Sequence, residues 1–480
     1  MFDQLIGPDT AAPTPTHPAI ITSAGVISYR RLNEAVNATA TALSPSVIGK
    51  NFVVIDEPDL VRHWLLTLAM GRLGVLSAST PPGRAAPDTL GADLILTHAG
   101  SAVATANSIL LDDQWWNLHL SQAGAAPAVP SQGRQQDAGR LVVSSGTTGT
   151  PKKVLFSNQT IQRRIELELK SGLIGPVRSP DTRFLISMGP STMGGFLAPL
   201  DVWSLGGTVL FGWDPVMDIE KLIALNMTCF ALSTGQLQTL VKSWPRHQAR
   251  LDNLAVVVGG SQLSDQLAAE AMRKLSPNLQ VAYGTTEAGL IASGAVRDLE
   301  ISKRVVGKVL PWVDLEIVDD ADQPVPIGEQ GRVRVRGHAV IANYLGEDPP
   351  PDGWLYPGDI GVLDERQHLR LLGRELEVIN VGGSKYAPED IENVLRTCPG
   401  VADIAAFALT DQHEIQTPAV AIVRTSEFDP TIAKDLVRKS VFLDKLAVFY
   451  VDSLPRNAMG KVERAALARQ FSERGRSPAS

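Results

Sequence analysis

Cysteine is scarce in this chain, with only Cys229 and Cys398 among 480 residues. Two thiols cannot build a disulfide framework, and neither sits in a metal-ligand spacing, so two free thiols in a reducing compartment are expected. Long apolar runs are missing too: none approaches the roughly 20 residues of a membrane span. The first residues, Met-Phe-Asp-Gln-Leu-Ile, lack a basic start followed by an apolar core, so no secretory signal is evident and a cytoplasmic protein is expected. Positive charge is not in excess. With 44 basic against 51 acidic residues the net charge is -7, which argues against nucleic acid or an anionic membrane as the main partner. A local cationic pocket remains compatible with that balance. No internal repeat is visible. The length exceeds one ordinary core, so two or three domains are expected.

What the chain does have is a concentration of glycine and hydroxyl in one place. Residues 141–152 read Leu-Val-Val-Ser-Ser-Gly-Thr-Thr-Gly-Thr-Pro-Lys. An apolar strand-like run empties into a loop of hydroxyls, two glycines and a cation. Gly146 and Gly149 let backbone N–H groups approach an anion. Ser144, Ser145, Thr147 and Thr148 add donors, and Lys152 adds a compact positive charge. The loop is not of Walker type: five residues past Gly146 stands Pro151, and Lys152 is followed by Lys153. Taken alone, these residues are equally compatible with a flexible polar turn. A capped helix is expected from Ser157.

Upstream, residues 19–30 read as a hairpin, residues 64–73 as a helix, and residues 123–139, rich in Ala, Pro, Gln and Gly, as a loop. Downstream, short apolar runs at 184–187, 208–211, 254–258 and 279–283 alternate with helical patterns at 218–225, 236–242 and 264–275. That alternation predicts a parallel sheet covered by helices, with ligands beyond the carboxyl ends of its strands. After about residue 305 the runs 315–318, 332–336 and 369–372 read as antiparallel strands, and the last hundred residues as a smaller α+β unit. The tail from about Glu473 is expected to fray.

Four further stretches carry chemistry. In Tyr283-Gly284-Thr285-Thr286-Glu287 a strand ends on two hydroxyls and a carboxylate, hard oxygen ligands suited to Mg²⁺ beside phosphates. The same residues could also cap a helix at Thr286. Asp359, after the Pro357-Gly358 turn, could accept ribose hydroxyls or simply make a turn. Arg374 follows Gly373 at a strand end, where arginines are commonly solvated or paired. Residues 454–464, Leu-Pro-Arg-Asn-Ala-Met-Gly-Lys-Val-Glu-Arg, read as a tight turn presenting Lys461.

Together and in this order, the five stretches resemble the adenylate-forming superfamily of acyl-CoA synthetases, peptide-synthetase adenylation domains and luciferase. The resemblance runs from about residue 20 to 470. It implies an α/β fold: a large N-terminal domain of parallel sheets covered by helices plus a β-barrel-like part, then a small mobile α+β domain. The implied boundaries are 1–372, a hinge at 373–376, and 377–480. It implies ATP, Mg²⁺ and CoA, and formation of an acyl-adenylate that a thiol then attacks. Lys152 and Ser144 to Gly149 would hold the β- and γ-phosphates, Thr286 would touch the α-phosphate, and Glu287 would hold the metal. Gly259, Gly260, Ser261 and Tyr283 would border adenine, Asp359 and Arg374 would grip ribose, and Lys461 would bridge the acid and the α-phosphate. The acid pocket would involve Met188, Ser191, Met193, Gly195, Ser233 and Gly284, and Gly382 and Gly383 would line a thiol tunnel.

The departures from the family pattern carry information. Lys153 replaces a glycine usual after the phosphate loop, and Leu376, followed by Glu377, replaces the usual hinge Asp or Lys. Pro190-Ser191 stands where many acyl-CoA synthetases carry Phe-His. No acid lies in residues 189–196 to pair a substrate ammonium, and an unpaired ammonium is costly to bury, so a neutral-tailed aliphatic or aromatic acid is expected. Met188, Met193 and Trp203 are expected to border the pocket, with Asp201 as the alternative ammonium partner. The acceptor is expected to be CoA, or alternatively the pantetheine of a holo carrier protein. A non-catalytic adenylate-binding protein and an unrelated phosphotransferase are the rival classes.

Overall fold

The computed structural model describes residues 5–7, 10–80, 91–101, 107–121, 139–144, 152–171, 179–245, 247–260, 262–299, 304–337, 340, 352–375, 377, 379–381, 384–386, 388–410, 416–440, 446–456 and 462–474. Most of the expected loop at 123–139 lies outside them, as does the end of the tail.

Six strands form one sheet, in the spatial order Ser108–Leu110, Leu94–Thr97, Phe52–Asp56, Leu76–Ser79, Gly139–Ser144 and Lys152–Ser157. Its strands run parallel except the last, which pairs back on Gly139–Ser144 as a hairpin. Ser144 and Lys152, which flank the expected phosphate loop, are register partners in that hairpin. The expected helix follows as Asn158–Ser171, with the Thr160 N–H donating to Ser157 Oγ at 3.1 Å.

The second sheet has thirteen strands. Half of it is parallel, with Pro18–Thr22, Thr208–Leu210, Arg183–Ile186, Cys229–Ser233, Ala255–Gly259 and Asn278–Thr285 side by side. The first five of these short apolar runs are largely buried on both faces, as parallel strands require, whereas Asn278–Thr285 buries alternate residues where the sheet turns antiparallel. The other half is antiparallel: Gly289–Ala295, Val305–Val309, His368–Arg374, Asp359–Leu363, Gln330–Gly337 and Val313–Val318. It wraps an apolar cluster of its own, including Ile291, Val333, Val335 and Leu369, and forms the β-barrel-like part.

The two sheets share a large core. The helix Met193–Ser204 is apolar nearly all round, which is the mark of a fully buried helix. Its Phe196 stacks on Trp64 at 5.9 Å, and its Trp203 meets Trp64 edge-on at 5.1 Å. The expected hairpin at 19–30 ends early, at Ser28, because the Ser28 hydroxyl accepts the Arg31 N–H and starts a helix at Tyr29. Similarly, the helix expected from residue 64 begins at Leu60, where Asp59 caps it.

The last hundred residues form a three-stranded sheet, Val401–Thr410, Gln416–Arg424 and Ala447–Tyr450, with helices on both faces. Ile404, Ala406, Val420 and Ile422 enter one apolar cluster; Ala405, Phe407, Ala419 and Ala421 enter the other. The period of two explains how a short strand pair buries both faces. Arg304 ties this part to the antiparallel half by donating to the Leu372 carbonyl at 2.9 Å and pairing with Asp390.

Candidate active site

Ser233 and Gly259 end adjacent parallel strands, Tyr283 lies near the end of the next, and Asp359, itself paired with Arg374, meets Tyr283. Ser233, Gly259 and Ala282 are register partners on three adjacent strands. Gly260 follows at φ +86°, with open space where a side chain would stand. Gly259 is tight: a Cβ there would lie 3.1 Å from the Ala282 carbonyl oxygen. Ser261 lies outside the described residues, as do Ser145, Gly146, Thr147, Thr148, Gly149, Gly382, Gly383 and Lys461.

Thr286 and Glu287 sit at the tip of a hairpin. The strand Gly289–Ala295 follows them, so the helix-cap alternative is overturned. The Ala288 N–H donates to Thr285 Oγ1 at 3.1 Å, closing the turn. A Cβ on Gly284 would fall 2.2 Å from the Gly289 carbonyl oxygen, so Gly284 serves close backbone approach.

Arg164, on the helix after the phosphate loop, holds this tip. It is buried, its Nη1 donates to the Thr286 carbonyl at 2.8 Å, and its Nη2 donates to the Glu287 carbonyl. The guanidinium lies 4.5 Å over Phe156. Burial pushes it down to about 10 against the pull of Glu168 and Glu287. With both carbonyls engaged below, the Glu287 carboxylate is partly exposed and has no bond to any described residue. Such a hard oxygen donor suits Mg²⁺. Among the described residues no three metal-ligating side chains cluster, so a bound ion would rely on this carboxylate with phosphate oxygens or water.

Tyr283, Asp359 and Arg374 form a second constellation. Asp359 and Arg374 are direct partners across two strands. The Asp359 carboxylate accepts the Tyr283 hydroxyl at 2.5 Å and the Arg374 Nε–H at 3.0 Å. Arg374 Nη1 also donates to the Pro357 carbonyl at 2.6 Å, and Gly358 turns the chain at φ +77°. Burial and the neighbouring carboxylate push the Tyr283 phenol well above its ordinary value, so it stays a donor.

The acid loop runs from Met188 into the helix Met193–Ser204. Thr192 caps that helix by accepting the Gly195 N–H at 3.0 Å. Gly195 is obligatory, since a Cβ there would fall 2.1 Å from the Gly189 carbonyl oxygen. Met188 and Ser191 are partly exposed, whereas Met193 packs into the main core. Trp203 is fully buried and donates to the Ala19 carbonyl at 3.0 Å, so it does not border a pocket. The Ser233 hydroxyl accepts the Gln236 N–H at 3.2 Å in a capping box, which commits it to the helix Thr234–Ser243.

Asp201 is not a free ammonium partner either. It is buried and hydrogen-bonded to Glu168, which faces Arg164. Desolvation first, and Glu168 second, push the Asp201 carboxyl well above the ordinary range, so Asp201 carries the shared proton. A carboxyl raised in the folded state contributes stability that is complete below its unfolded value of about 3.9 and is lost as pH rises through the folded value. Asp201→Asn keeps the donor and cannot ionise. Its melting temperature is expected to exceed wild type by a margin that grows from pH 4 to pH 8, and a pH-independent difference in thermal scans would contradict the shared proton.

Arg464, three residues beyond Lys461, anchors that stretch. It pairs with Glu377 at 2.6 Å, Glu389 at 2.9 Å and Glu392 at 2.8 Å, and donates to the Ala406 carbonyl at 3.0 Å. Arg164 and Arg464 have no sequence signal beyond being arginines near motifs. Their roles become visible only through partners 122 and 87 residues away.

A family model described as AMP-binding enzyme matches residues 8–345. The chain is 26% identical over 361 residues to 4-coumarate--CoA ligase 1 of Petroselinum crispum, covering 69% of this chain and 64% of that protein. It is 27% identical over 350 residues to a long-chain-fatty-acid--CoA ligase of Escherichia coli O6:H1, covering 69% and 61%. Both alignments take in less than two thirds of the relative's own length. The structure of ATP-bound MatB from Rhodopseudomonas palustris superposes with a TM-score of 0.86 at 23% identity, covering 98% of each chain, a likeness of fold.

Proposed function

This chain belongs to the AMP-binding enzyme family within the adenylate-forming superfamily, and on that premise we propose that it activates a carboxylic acid with ATP. The product is an acyl-adenylate with release of pyrophosphate, and the acyl group then passes to the thiol of CoA. The observation that carries this reading is Arg164. It binds the helix Asn158–Ser171, which follows the expected phosphate loop, to the Thr286–Glu287 tip, so elements more than a hundred residues apart in the chain are held together beside both motifs.

Catalysis here is largely charge management. Charge grows on the α-phosphorus and on the leaving pyrophosphate, and fixed donors offset it. Lys152 and the loop Ser144 to Gly149 hold the β- and γ-phosphates. Thr286 offers its hydroxyl to the α-phosphate, and Glu287 holds the metal, which when bound neutralises phosphate charge. Gly259, Gly260 and Ser261 leave room for adenine beside Tyr283, while Asp359 and Arg374 take the ribose. Lys461 reaches the acid and the α-phosphate together from a small domain, 377–480, that turns about 373–376 on a large domain, 1–372. Gly382 and Gly383 let a pantetheine arm pass close to backbone.

The acid is neutral-tailed. Support comes from Asp201, whose carboxyl is tied up against Glu168 and leaves no acid in the loop for an ammonium. Two relatives are named for coumarate and for long-chain fatty acids, whose tails carry no charge. Acid-dependent ATP–pyrophosphate exchange across a panel of aliphatic, aromatic and amino acids tests the reading. Exchange is expected with an aliphatic or aromatic acid. Exchange driven by amino acids alone would overturn the tail assignment, and exchange with none would overturn the activity. AMP release with CoA against a holo carrier protein then identifies the thiol.

A further inference from the structure

The strand that leads into the phosphate loop carries a buried cation. Arg140 lies in Gly139–Ser144, opposite Ser77 on the neighbouring strand, and is 1% exposed. A guanidinium so placed is ordinarily paired, because an uncompensated buried charge is costly. Among the described residues no carboxylate bonds it. Nη1 donates to Ser77 Oγ at 3.1 Å, and Nη2 donates to Ser79 Oγ and to the Pro190 carbonyl at 3.1 Å. Cζ stands 5.0 Å over the Phe196 ring, and Nε has no partner.

His63 sets the orientation of Ser79. Its Nδ1 lies 2.9 Å from the Glu57 carbonyl, which can only accept, so Nδ1 carries the proton. Nε2, 2.6 Å from Ser79 Oγ, therefore accepts the hydroxyl proton. Burial, with Arg140 second, holds the imidazole down at about 3, so it stays neutral. The Ser79 oxygen is left with its lone pairs turned to Arg140.

The partners belong to different sheets. Ser77, Ser79 and Arg140 are in the six-stranded sheet, while Pro190 follows Arg183–Ile186 of the thirteen-stranded one. Pro190 is in the middle of the acid loop, and Phe196 is in the first turn of the helix that loop caps. The described hydrogen bonds of residues 188–195 otherwise stay local: Thr192 donates twice to the Gly189 carbonyl, at 3.0 Å and 2.9 Å, and Gly195 donates to Thr192.

We propose that Arg140 is a positioning residue for the acid, tying the acid loop to the strand that carries the phosphate loop so that the two substrate sites keep one spacing. The proposal rests on the adenylation reading above. A rigid fork suits the task because three oxygens from two sheets must be held in one geometry.

The test is ATP–pyrophosphate exchange by Arg140→Met and Arg140→Lys, with KM measured separately for the acid and for ATP. Arg140→Met is expected to raise the acid KM by about tenfold or more, the scale of a lost charged hydrogen bond, with the ATP KM within about threefold. Arg140→Lys, a point donor without the fork, is expected to recover part of the loss. Should Arg140→Met not fold, Ser79→Ala decides the matter, since it keeps the charge and removes one anchor; a rise of about threefold in acid KM alone is expected. Acid and ATP KM moving together, or neither moving, in a folded variant would overturn the positioning role. No exchange by the wild type with any acid would instead bring down the reading beneath it, and the proposal with it.

Discussion

Lys461→Ala is expected to lower acid-dependent ATP–pyrophosphate exchange by about 10²–10³-fold, the usual cost of one lost transition-state charge contact. In the proposed reaction the lysine would act at the bond being made, where the acid oxygen meets the α-phosphorus, and nothing else in residues 454–464 except Arg456 and Arg464 is cationic. Neither can substitute. Arg456 pairs with Asp403 at 2.7 Å, and Arg464 is locked among three carboxylates. In the proposed scheme transfer from a supplied acyl-adenylate to CoA would not need the lysine, so that half-reaction is expected to survive. Equal loss in both halves would mean the substitution damaged the small domain rather than removed a catalytic charge. Undiminished exchange would refute the assignment outright.

Asp359→Ala is expected to raise the ATP KM by about 10–100-fold, through loss of one charged acceptor and of the geometry it enforces. It also leaves a buried phenol and a part-buried guanidinium without their shared partner, at 2.5 Å and 3.0 Å respectively. Arg374 keeps 27% of its side-chain exposure, so water screens part of the penalty, and about 2–4 kcal/mol of stability is the expected loss. Asp359→Asn keeps the shape and can still accept from Tyr283, so its stability is expected to fall less while ATP affinity falls nearly as far. An alanine variant with a lowered melting temperature but an unchanged ATP KM would show that the carboxylate only pins Tyr283 and Arg374 together.

These residues differ in how far the chain itself announced them. The alternation of short apolar runs with helical patterns predicted a parallel sheet, and four of its six strands appear within a few residues of the expected places; Cys229–Ser233 was not anticipated, and Pro18–Thr22 was read only as part of a hairpin. The glycines at 259, 260 and 284 took their roles in the sequence reading only through the family resemblance; that Gly259 and Gly284 stand against neighbouring backbone while Gly260 faces open space comes from the structure. The acid-pocket reading fared less well. Trp203 and Met193 were expected at the pocket edge, yet a helix apolar nearly all round packs into the core and takes both with it. Ser233 was expected to face the acid, and a local competitor, the Gln236 cap, engages its hydroxyl. Asp201 looked available because a carboxylate one turn past the loop has no visible partner in sequence. Its partner Glu168 lies on another helix.

By itself, the order of residues determined the chemical inventory: a hydroxyl- and glycine-rich loop, a carboxylate after a Thr-Thr step, an Asp after Pro-Gly, an Arg at a strand end and a lysine in a late turn. Such motifs are short, and their chemistry resides in neighbouring residues. Only the tertiary structure decided that Arg164 holds the Thr286–Glu287 tip, that Arg140 spans two sheets to reach Pro190, and that Asp359 binds Tyr283 and Arg374 at once. Those are long side chains satisfying buried acceptors far away in the chain. Which acceptor each one meets follows from how the strands are ordered and how the sheets pack, and neither is written in any local stretch of sequence.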